Sequence, residues 1–419
     1  SSSGAGALLV PGEEHAHLAT YMAFASDADG IWTEPSRDNA GLARVRADLI
    51  DVAKAIGTGE RVIMLVLSDA EKAIAEQLMR AASASNPDIH DGYARRREGT
   101  GGVEFVVVPD GFNDYWTRDT APVFARDMDN PGRLAAISFN FNGWGNANSR
   151  SREAPRASNG TKAAAFYQPF ENDRKLAGLI AARHDAELIA STLTLEGGAL
   201  ELDGEGTAIL TASSVLHVNR NPHLFDLSFA GPKVTGAVLK PTAKATVEAE
   251  LGRVLGVTKV IWLTGTDIFP GIDVDEESDI TNGHVDFYAK FVAPGVVAYA
   301  LDSHDSTGER EITLRHRREL EGQTDAAGRE LTLVPLVPPE DYGLDLTERQ
   351  AANFAAGYIN FYICNGAIIL PKFGDEAADR AAAAALAPYR GQRTIVQVDI
   401  TGIGSGGGGL HCATMQVPA

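Results

Sequence analysis

The sequence has 419 residues, 44% of them hydrophobic and 22% charged, which is the composition of a globular protein rather than of a disordered or fibrous one. Its formal charge of −19 argues against a nucleic-acid partner; it would attract a cationic small molecule, although solubility alone explains it more simply. Two cysteines and no CxxC pair argue against a disulfide framework and structural zinc, and no run of about 18 apolar residues predicts a membrane span.

The chain begins with small residues, from Ser1 to Ala7. Such a start is typical of a mature chain after removal of a signal peptide, or of a remnant of cloning. Of these, we expect an exported, periplasmic protein rather than a cytoplasmic one.

Strands and helices alternate from Arg61 onward, since short runs of β-branched residues predict buried strands and helically spaced apolar residues predict helices. The strands predicted in the first half are residues 61–67, 103–108, 134–141, 186–190, 200–202 and 207–211, the last two forming a hairpin. The predicted helices are residues 172–183 and residues 69–82, the latter with an apolar face of Ala70, Ala73, Ile74 and Leu78.

In the second half, helices are predicted over residues 242–255 and 376–387, and strands over residues 260–263, 287–291, 296–301, 359–363, 367–370 and 394–398. Strand pairs with a helix between them recur about five times, which predicts an α/β fold. No stretch is typical of a linker between domains. Periodicity alone does not tell how these units are arranged in space.

Cys412 follows a glycine-rich approach, Gly406–Gly409. Glycines contribute no packing and cost backbone entropy, so they are typical of places where the backbone comes close to a ligand. A flexible terminal loop with an incidental thiol explains the stretch equally well. A phosphate-binding loop does not, because no Lys-Ser or Lys-Thr pair follows the glycines.

His284 and Asp286 lie two residues apart in Asp279–Asp286, just before a predicted strand. In an extended segment both side chains would point to the same side and enter one pocket. A surface ion pair at a strand end is an equal alternative.

The segment Asn113–Asp119 follows a strand and a Pro-Asp-Gly turn, where α/β proteins place ligand-contacting loops. Trp116 would stack on a cation and Asp119 would pair with it. On its own, the segment is better explained by a core tryptophan beside a surface pair of Arg118 and Asp119.

Glu196 precedes Gly197 and Gly198, a pattern that suggests backbone folded closely around a buried group. Taken alone, it is better explained as a bulge in a hairpin.

In content and order, these motifs resemble the agmatine deiminase and bacterial peptidylarginine deiminase family of guanidine-modifying enzymes. The resemblance runs nearly end to end, through Pro11–Glu13, His17–Thr20, Asn113–Pro122, Glu196–Gly198, Asp203–Thr207, Asn219–Pro222, Gly283–Asp286, Tyr358–Tyr362, Pro371–Asp375 and Gly409–Cys412. It implies one catalytic domain over residues 1–419, a five-bladed α/β propeller with the active site on its central axis.

The resemblance also implies the roles of the site residues. Cys412 would be the nucleophile and His284 the general acid and base. Asp119 and Asp286 would hold the guanidinium nitrogens, and Glu196 would orient His284 or contact the substrate.

The implied reaction is the deimination of a cationic guanidino molecule through a covalent thiouronium intermediate. Agmatine is the first candidate substrate, and free or peptidyl arginine is the alternative. No metal or organic cofactor is required, and neither nucleic acid nor membrane is expected as a partner. A homodimer follows from family habit alone.

Two positions depart from the agmatine pattern, which leaves the rest of the substrate open. Ile280 stands where an acidic residue is usual, and Phe287 stands where asparagine is usual. His411 is either a wall of the pocket or a core histidine, and Cys364 in an apolar strand is expected in the core. Amidino transfer and a catalytically silent guanidine- or polyamine-binding protein are the rival functions.

Overall fold

A computed structural model describes residues 7–28, 39–81, 83, 85–87, 89, 102–130, 132–145, 169–230, 233–266, 280–305, 307, 309–340 and 354–419. The residues before Ala7 and the carboxylate of Asp279 lie outside these ranges. Within them, no helix is long and apolar enough to cross a membrane.

The described strands are, in chain order, β1 (Leu8–Leu9), β2 (His17–Ala23), β3 (Arg61–Val66), β4 (Gly102–Val107), β5 (Val123–Asp127), β6 (Leu134–Ser138), β7 (Glu187–Ala190), β8 (Glu201–Leu202), β9 (Thr207–Thr211), β10 (Phe225–Ala230), β11 (Lys233–Leu239), β12 (Lys259–Leu263), β13 (Ala289–Ala293), β14 (Val296–Ala300), β15 (Thr332–Leu336), β16 (Tyr362–Cys364), β17 (Ala367–Lys372), β18 (Thr394–Asp399) and β19 (Met415–Pro418).

The described helices are α1 (Asn39–Ile56), α2 (Asp69–Arg80), α3 (Thr117–Thr120), α4 (Asp173–Arg183), α5 (Ala212–Val215), α6 (Ala243–Leu255), α7 (Arg310–Leu320), α8 (Glu376–Leu386) and α9 (Thr401–Ser405).

Five sheets in the described part of the chain share one pattern. Their strand orders are β19-β2-β3-β4, β1-β5-β6-β7, β8-β9-β12, β13-β14-β15 and β16-β17-β18. In each, an antiparallel pair is followed by a parallel pair, and the parallel strands are joined through a long helix: α1, α4, α6, α7 or α8 in turn. Parallel neighbours need such a crossover, so the rhythm of strand pairs and helices predicted from the sequence, and the α/β class, are confirmed.

The chain closes on itself through the first of these sheets. The last strand, β19, pairs antiparallel with β2, so that Met415 faces Tyr21. The strands β2 and β3 are almost wholly buried, because their apolar residues pack on both faces against a core that runs through most of the molecule. The strand that follows Cys412 is therefore held in one sheet with strands from the start of the chain.

The predicted elements all occur, with ends shifted by a few residues. The face predicted for α2 is wrong: Ile74 is 40% exposed, and the buried residues are Glu71, Ala75 and Met79. The reason is polar, since the Glu71 carboxylate accepts hydrogen bonds from the Ser26 hydroxyl and the Leu67 N–H and so turns this face inward.

Several elements had no predicted counterpart. They include β2, α1, β5, α7, β15 and the hairpin of β10 and β11. In the described part of the chain, this hairpin forms a separate two-stranded sheet. Cys364 lies buried in β16, as expected for a core residue.

Candidate active site

The residues singled out in the sequence lie in connections that lead into four of the five sheets. Asp119 lies in α3 before β5, and Glu196 precedes β8. His284 and Asp286 precede β13, and Cys412 precedes β19. All five side chains are buried, none more than 7% exposed.

Gly198 marks the point where three of these side chains meet. A Cβ added to it would lie 2.6 Å from His284 Nδ1, 2.9 Å from Asp119 Oδ1 and 3.1 Å from Asp286 Oδ2. A larger residue would fill the space between the imidazole and the two carboxylates. Gly198, the second residue after Glu196, thus borders the site and is not part of a hairpin bulge.

Cys412 lies beside Asp286 and Asn360. Among the described residues, the acceptors in contact with its sulfur are Asp286 Oδ2 and Asn360 Oδ1, each 3.6 Å away. Burial, with the negative charges of Asp286 and Asp119, raises the pKa of the Cys412 thiol well above its usual range. In the empty site the sulfur therefore carries its proton.

The glycines before Cys412 allow two close approaches. A Cβ on Gly409 would lie 2.2 Å from Asn360 Oδ1, and one on Gly408 would lie 2.5 Å from the ring of Trp116. Asn360 Oδ1 accepts the backbone N–H of His411 at 2.9 Å, which fixes the backbone next to the thiol. Both glycines are buried, so the flexible terminal loop is wrong for this part of the stretch.

His284 is held by carboxylates on both ring nitrogens. Its Nε2 lies 3.0 Å from Glu196 Oε2, and its Nδ1 lies 3.7 Å from Asp119 Oδ1. Burial opposes a positive charge here, but Asp119, Glu196 and Asp286 together raise the pKa of His284 to about 9. The ring is an imidazolium at neutral pH.

Arg220 completes this cluster, and sequence reasoning gave it no role. Its Nε donates to both oxygens of Glu196, at 2.9 and 3.0 Å, and its Nη1 donates to Asn282 at 2.7 Å. Although burial opposes ionisation, Arg220 and the hydrogen bond from His284 lower the pKa of Glu196 to about 2. The available signal was its place in the motif Asn219–Pro222.

Asp119 faces the same space from the other side. Its Oδ2 accepts the indole N–H of Trp144 at 2.8 Å, and its Oδ1 accepts the N–H of Gly198 at 3.2 Å. Burial, reinforced by Glu196 and Asp286, raises the pKa of Asp119 to about 6 despite the imidazolium of His284. Trp144 was missed, and its position between Gly143 and Gly145 was the only hint.

Asp286 offers one bound oxygen and one unbound oxygen. Its Oδ2 lies 2.9 Å from His411 Nδ1, whereas its buried Oδ1 has no hydrogen-bond partner in the described structure. Burial is outweighed by His411 and His284, which lower the pKa of Asp286. A buried, ionised and unsatisfied carboxylate oxygen is a strong acceptor for a donor that enters the site.

His411 is a buried wall of this pocket, which decides between the two alternatives for it. Its Nε2 lies 2.7 Å from Glu13 Oε2, on the side opposite Asp286. Glu13 in turn contacts Lys290 Nζ at 2.9 Å and Arg118 Nη2 at 3.4 Å.

Three local expectations are corrected by these positions. Arg118 is buried and pairs with Glu13, so the surface pair with Asp119 is wrong. His284 and Asp286 are not an extended pair: His284 precedes a 3₁₀ turn, Val285–Phe287, and both side chains reach the pocket from that turn. Both are buried, which also excludes the surface ion pair.

Three other residues of interest lie around this centre. Trp116 is buried against Tyr115, with ring centroids 4.2 Å apart, and its ring faces Gly408. Phe287 packs against Gly357, and Ile280 is 39% exposed.

Chemically, the arrangement can bind a small cation among carboxylates and present a sulfur and an acid to it. Asp119 and Asp286 supply acceptors that a planar donor group can bridge. Cys412 supplies a nucleophile once it is deprotonated, and His284 supplies a proton.

Comparisons with known proteins agree over nearly the whole chain. The sequence model of the Porphyromonas-type peptidyl-arginine deiminase family matches residues 9–418. A Streptomyces coelicolor protein named "putative agmatine deiminase" is 31% identical over 412 residues, which cover 98% of each chain. The solved agmatine deiminase of Enterococcus faecalis is 25% identical with a TM-score of 0.72, covering 99% of this chain and 98% of its own.

Proposed function

The chain belongs to the Porphyromonas-type peptidyl-arginine deiminase family, and from this premise we propose that it hydrolyses a guanidinium group to a ureido group and ammonia. The observation that carries the proposal is the meeting of the Cys412 thiol, the His284 imidazolium and two carboxylates in one buried space. The chemistry draws on these side chains and requires neither a metal nor an organic cofactor.

The carboxylates suit a guanidinium group in particular. A guanidinium is planar, permanently charged and rich in N–H donors. Asp286 Oδ1 is unsatisfied and Asp119 has a raised pKa, so both carboxylates gain an interaction partner when such a cation enters. Gripped from two sides, the plane of the cation is fixed and its carbon is presented face-on to the sulfur.

The bound cation also activates the nucleophile. Two neighbouring carboxylates raise the pKa of the Cys412 thiol in the empty site, on top of the effect of burial. A guanidinium between them offsets this charge and favours the thiolate. Deprotonation and substrate binding are therefore coupled.

The reaction proceeds in two steps. The Cys412 thiolate adds to the guanidinium carbon, and the His284 imidazolium protonates the departing nitrogen, which leaves as ammonia. A covalent thiouronium intermediate remains. Neutral His284 then takes a proton from water, the water oxygen attacks the carbon, and the thiol is released with the ureido product.

Glu196 orients His284 in this scheme. Its two oxygens are already occupied by Arg220 and His284, which supports the orienting role rather than a further contact with substrate. The ring of Trp116 lies against Gly408, in the glycine stretch before the nucleophile, and is the aromatic face proposed for the cation.

Agmatine is the first candidate substrate, with N-carbamoylputrescine as the product. The support is the name carried by the Streptomyces coelicolor relative and the activity of the Enterococcus faecalis structure. Ile280 and Phe287 depart from that pattern, so free or peptidyl arginine is the second candidate. Agmatine and arginine carry the same guanidinium group and differ only in the rest of the molecule.

We also propose that the five sheets are the blades of one propeller and that residues 1–419 form one domain. The proposal is supported because residues of the site lie in the connections that lead into all five sheets. In the connection before β16, the site residue is Asn360, whose side chain contacts the Cys412 sulfur. The pairing of β19 with β2 joins the first sheet to the last residues of the chain. A homodimer remains a prediction.

The test is ammonia release from agmatine, arginine, arginyl peptides and small guanidines. Cys412→Ala should lower the turnover by at least about 10⁴-fold, because the nucleophile is lost. Cys364→Ala is the matched control, since it removes a buried thiol from β16, outside the site. Comparable turnover of Cys412→Ala and the wild type would overturn the proposal.

The same assay separates the rival functions. Amidino transfer would give an amidinated amine instead of a ureido product when an amine is supplied. A silent binding protein would bind agmatine and release no ammonia. The presence of both a thiol and an imidazolium around the same space argues against silence, because binding alone requires neither.

A further inference from the structure

A second cluster of ionisable side chains lies behind the nucleophile, and the two-step reaction leaves it unused. Its members are Glu13, Arg118, Glu201, Lys290 and His411, none more than 7% exposed. Burying this much charge costs free energy, which suggests that these groups have a role beyond packing.

The cluster touches the active centre at one point. His411 Nδ1 lies 2.9 Å from Asp286 Oδ2, the same oxygen that lies 3.6 Å from the Cys412 sulfur. On its far side, His411 Nε2 lies 2.7 Å from Glu13 Oε2. Thiol, carboxylate, imidazole and carboxylate thus form an unbroken chain.

The far end of this chain borders a cavity. The cavity is partly open to solvent and is lined by Glu13, Arg118, Glu201 and His411, and its free space of about 40 Å³ has room for about three water molecules. Cys412, His284 and Asp286 do not line it.

The thiol needs such an outlet, because it must lose its proton when the cation binds. His284 is already an imidazolium and lies between Glu196 and Asp119, so it has no free site for that proton. Asp286 Oδ2 is in contact with the sulfur and leads to His411.

We propose that Asp286, His411 and Glu13 are a proton relay that carries the Cys412 thiol proton to the water of this cavity. The proposal rests on the proposed function, in which Cys412 acts as a thiolate. It assigns His411 and Glu13 a role in the first step only, the formation of the nucleophile.

The proton balance is simple. Asp286 Oδ2 takes the thiol proton and passes it to His411 Nδ1, while His411 Nε2 gives its proton to Glu13 Oε2. Glu13 then gives a proton to a cavity water. One proton leaves the sulfur and one enters water, so no other reactant is needed.

The surrounding charges shift the pKa values of His411 and Glu13, the two residues at the far end of the relay. Burial and the cations Arg118 and Lys290 lower the pKa of His411, whereas Asp286 and Glu13 oppose them. The same cations outweigh burial and hold the pKa of Glu13 well below its usual range, so its protonated form is short-lived. A proton that reaches Glu13 is passed on rather than kept.

The test measures proton release directly, by rapid mixing of the enzyme with agmatine in weak buffer containing a pH indicator. The wild type should release about one proton per active site before ammonia appears. Glu13→Gln keeps the shape of the side chain but cannot accept a proton, and should slow this release on the order of 10-fold or more. It should also make the rate of the first step rise with pH, as hydroxide replaces the relay.

Glu201→Gln is the matched control, because Glu201 lines the same cavity without being part of the chain. Burial raises the pKa of Glu201 to about 8, so glutamine resembles its protonated state at neutral pH. It should leave proton release and its pH profile unchanged. His411→Gln is the second variant if Glu13→Gln does not fold, as its amide keeps a polar side chain between the two carboxylates but cannot relay a proton.

The outcomes distinguish the two proposals. Fast, Cys412-dependent proton release without any ammonia would overturn the proposed function and support the relay. Ammonia release by the wild type together with equally fast proton release in Glu13→Gln and Glu201→Gln would overturn the relay and leave the function standing. An equal slowing of both reaction steps in Glu13→Gln, with an unchanged pH profile, would show a purely structural role and overturn it too.

Discussion

His284 and His411 have matching surroundings and different charges. Each ring lies between two buried carboxylates, Glu196 with Asp119 or Glu13 with Asp286. Yet the pKa of His284 is raised to about 9 by its carboxylates against the effect of burial, whereas burial and nearby cations lower the pKa of His411.

The difference comes from where the cations are placed. Arg220 binds both oxygens of Glu196 and also contacts Asn282 and the Thr281 carbonyl. Arg118 and Lys290 instead contact Glu13 and act on His411 as well. More positive charge surrounds His411 than His284, which supports the proposed roles of His284 as an acid and of His411 as part of a relay.

The largest expected effect separates the two rings by activity. His284→Asn should lower kcat by about 10²–10⁴-fold, because the proton donor to the leaving nitrogen is lost. His411→Asn should cost less, on the order of 10-fold, since hydroxide can still deprotonate the thiol. Steady-state ammonia release measures both, and equal losses would contradict the division of roles.

The next effect concerns stability. Arg220→Met leaves the Glu196 carboxylate buried with His284 as its remaining cationic partner and should lower the free energy of unfolding by about 3–5 kcal/mol. Adding Glu196→Gln should restore part of this loss, because the buried charge that lost its Arg220 partner is removed. Urea denaturation of the single and double variants measures it; strict additivity of the two changes would show that the pair is not coupled.

The pH profile sharpens the comparison on the side of His284. Asp119, with a pKa of about 6, must be ionised, and His284, with a pKa of about 9, must be protonated. The value of kcat/KM should therefore rise with pH through about 6 and fall through about 9. Trp144→Phe removes a hydrogen bond to Asp119 and should move the acid limb upward, with the alkaline limb unchanged.

The smallest expected effect lies behind His411. The pKa of Glu201 is raised by burial from its ordinary value to about 8, so the stability it contributes is complete at low pH and is lost as pH rises through about 8. Glu201→Gln removes this loss and should raise Tm at pH 9 by a few degrees, roughly 2–4 °C, with little change at pH 5. A constant difference across pH would assign the effect to packing.

Features that depend on a local pattern of residues were predicted from the sequence. Features that depend on contacts between residues far apart in the chain were missed. A thiol, an imidazole and carboxylates beside glycines can be recognised in the sequence without knowledge of the fold. The residues found in this way are Cys412, His284, Asp286, Asp119 and Glu196. Their roles remain predictions, although the structure brings the five side chains together.

Arg220 and Glu13 were missed for a physical reason. Each acts through a partner far along the chain, Arg220 on Asn282 and Glu13 on His411, and burial of a charge cannot be read from neighbouring residues. The buried polar residue of α2 was missed in the same way, since Glu71 is stabilised in the interior by donors that include the Ser26 hydroxyl, far back in the chain.

The pairing of β19 with β2 has a consequence for synthesis. Cys412 lies immediately before the strand that completes the first sheet, and that strand is made last of all the described elements. A nascent chain on the ribosome therefore contains His284 and the carboxylates before Cys412 is made. A chain that ends before residue 412 lacks the thiol on which the proposed reaction depends.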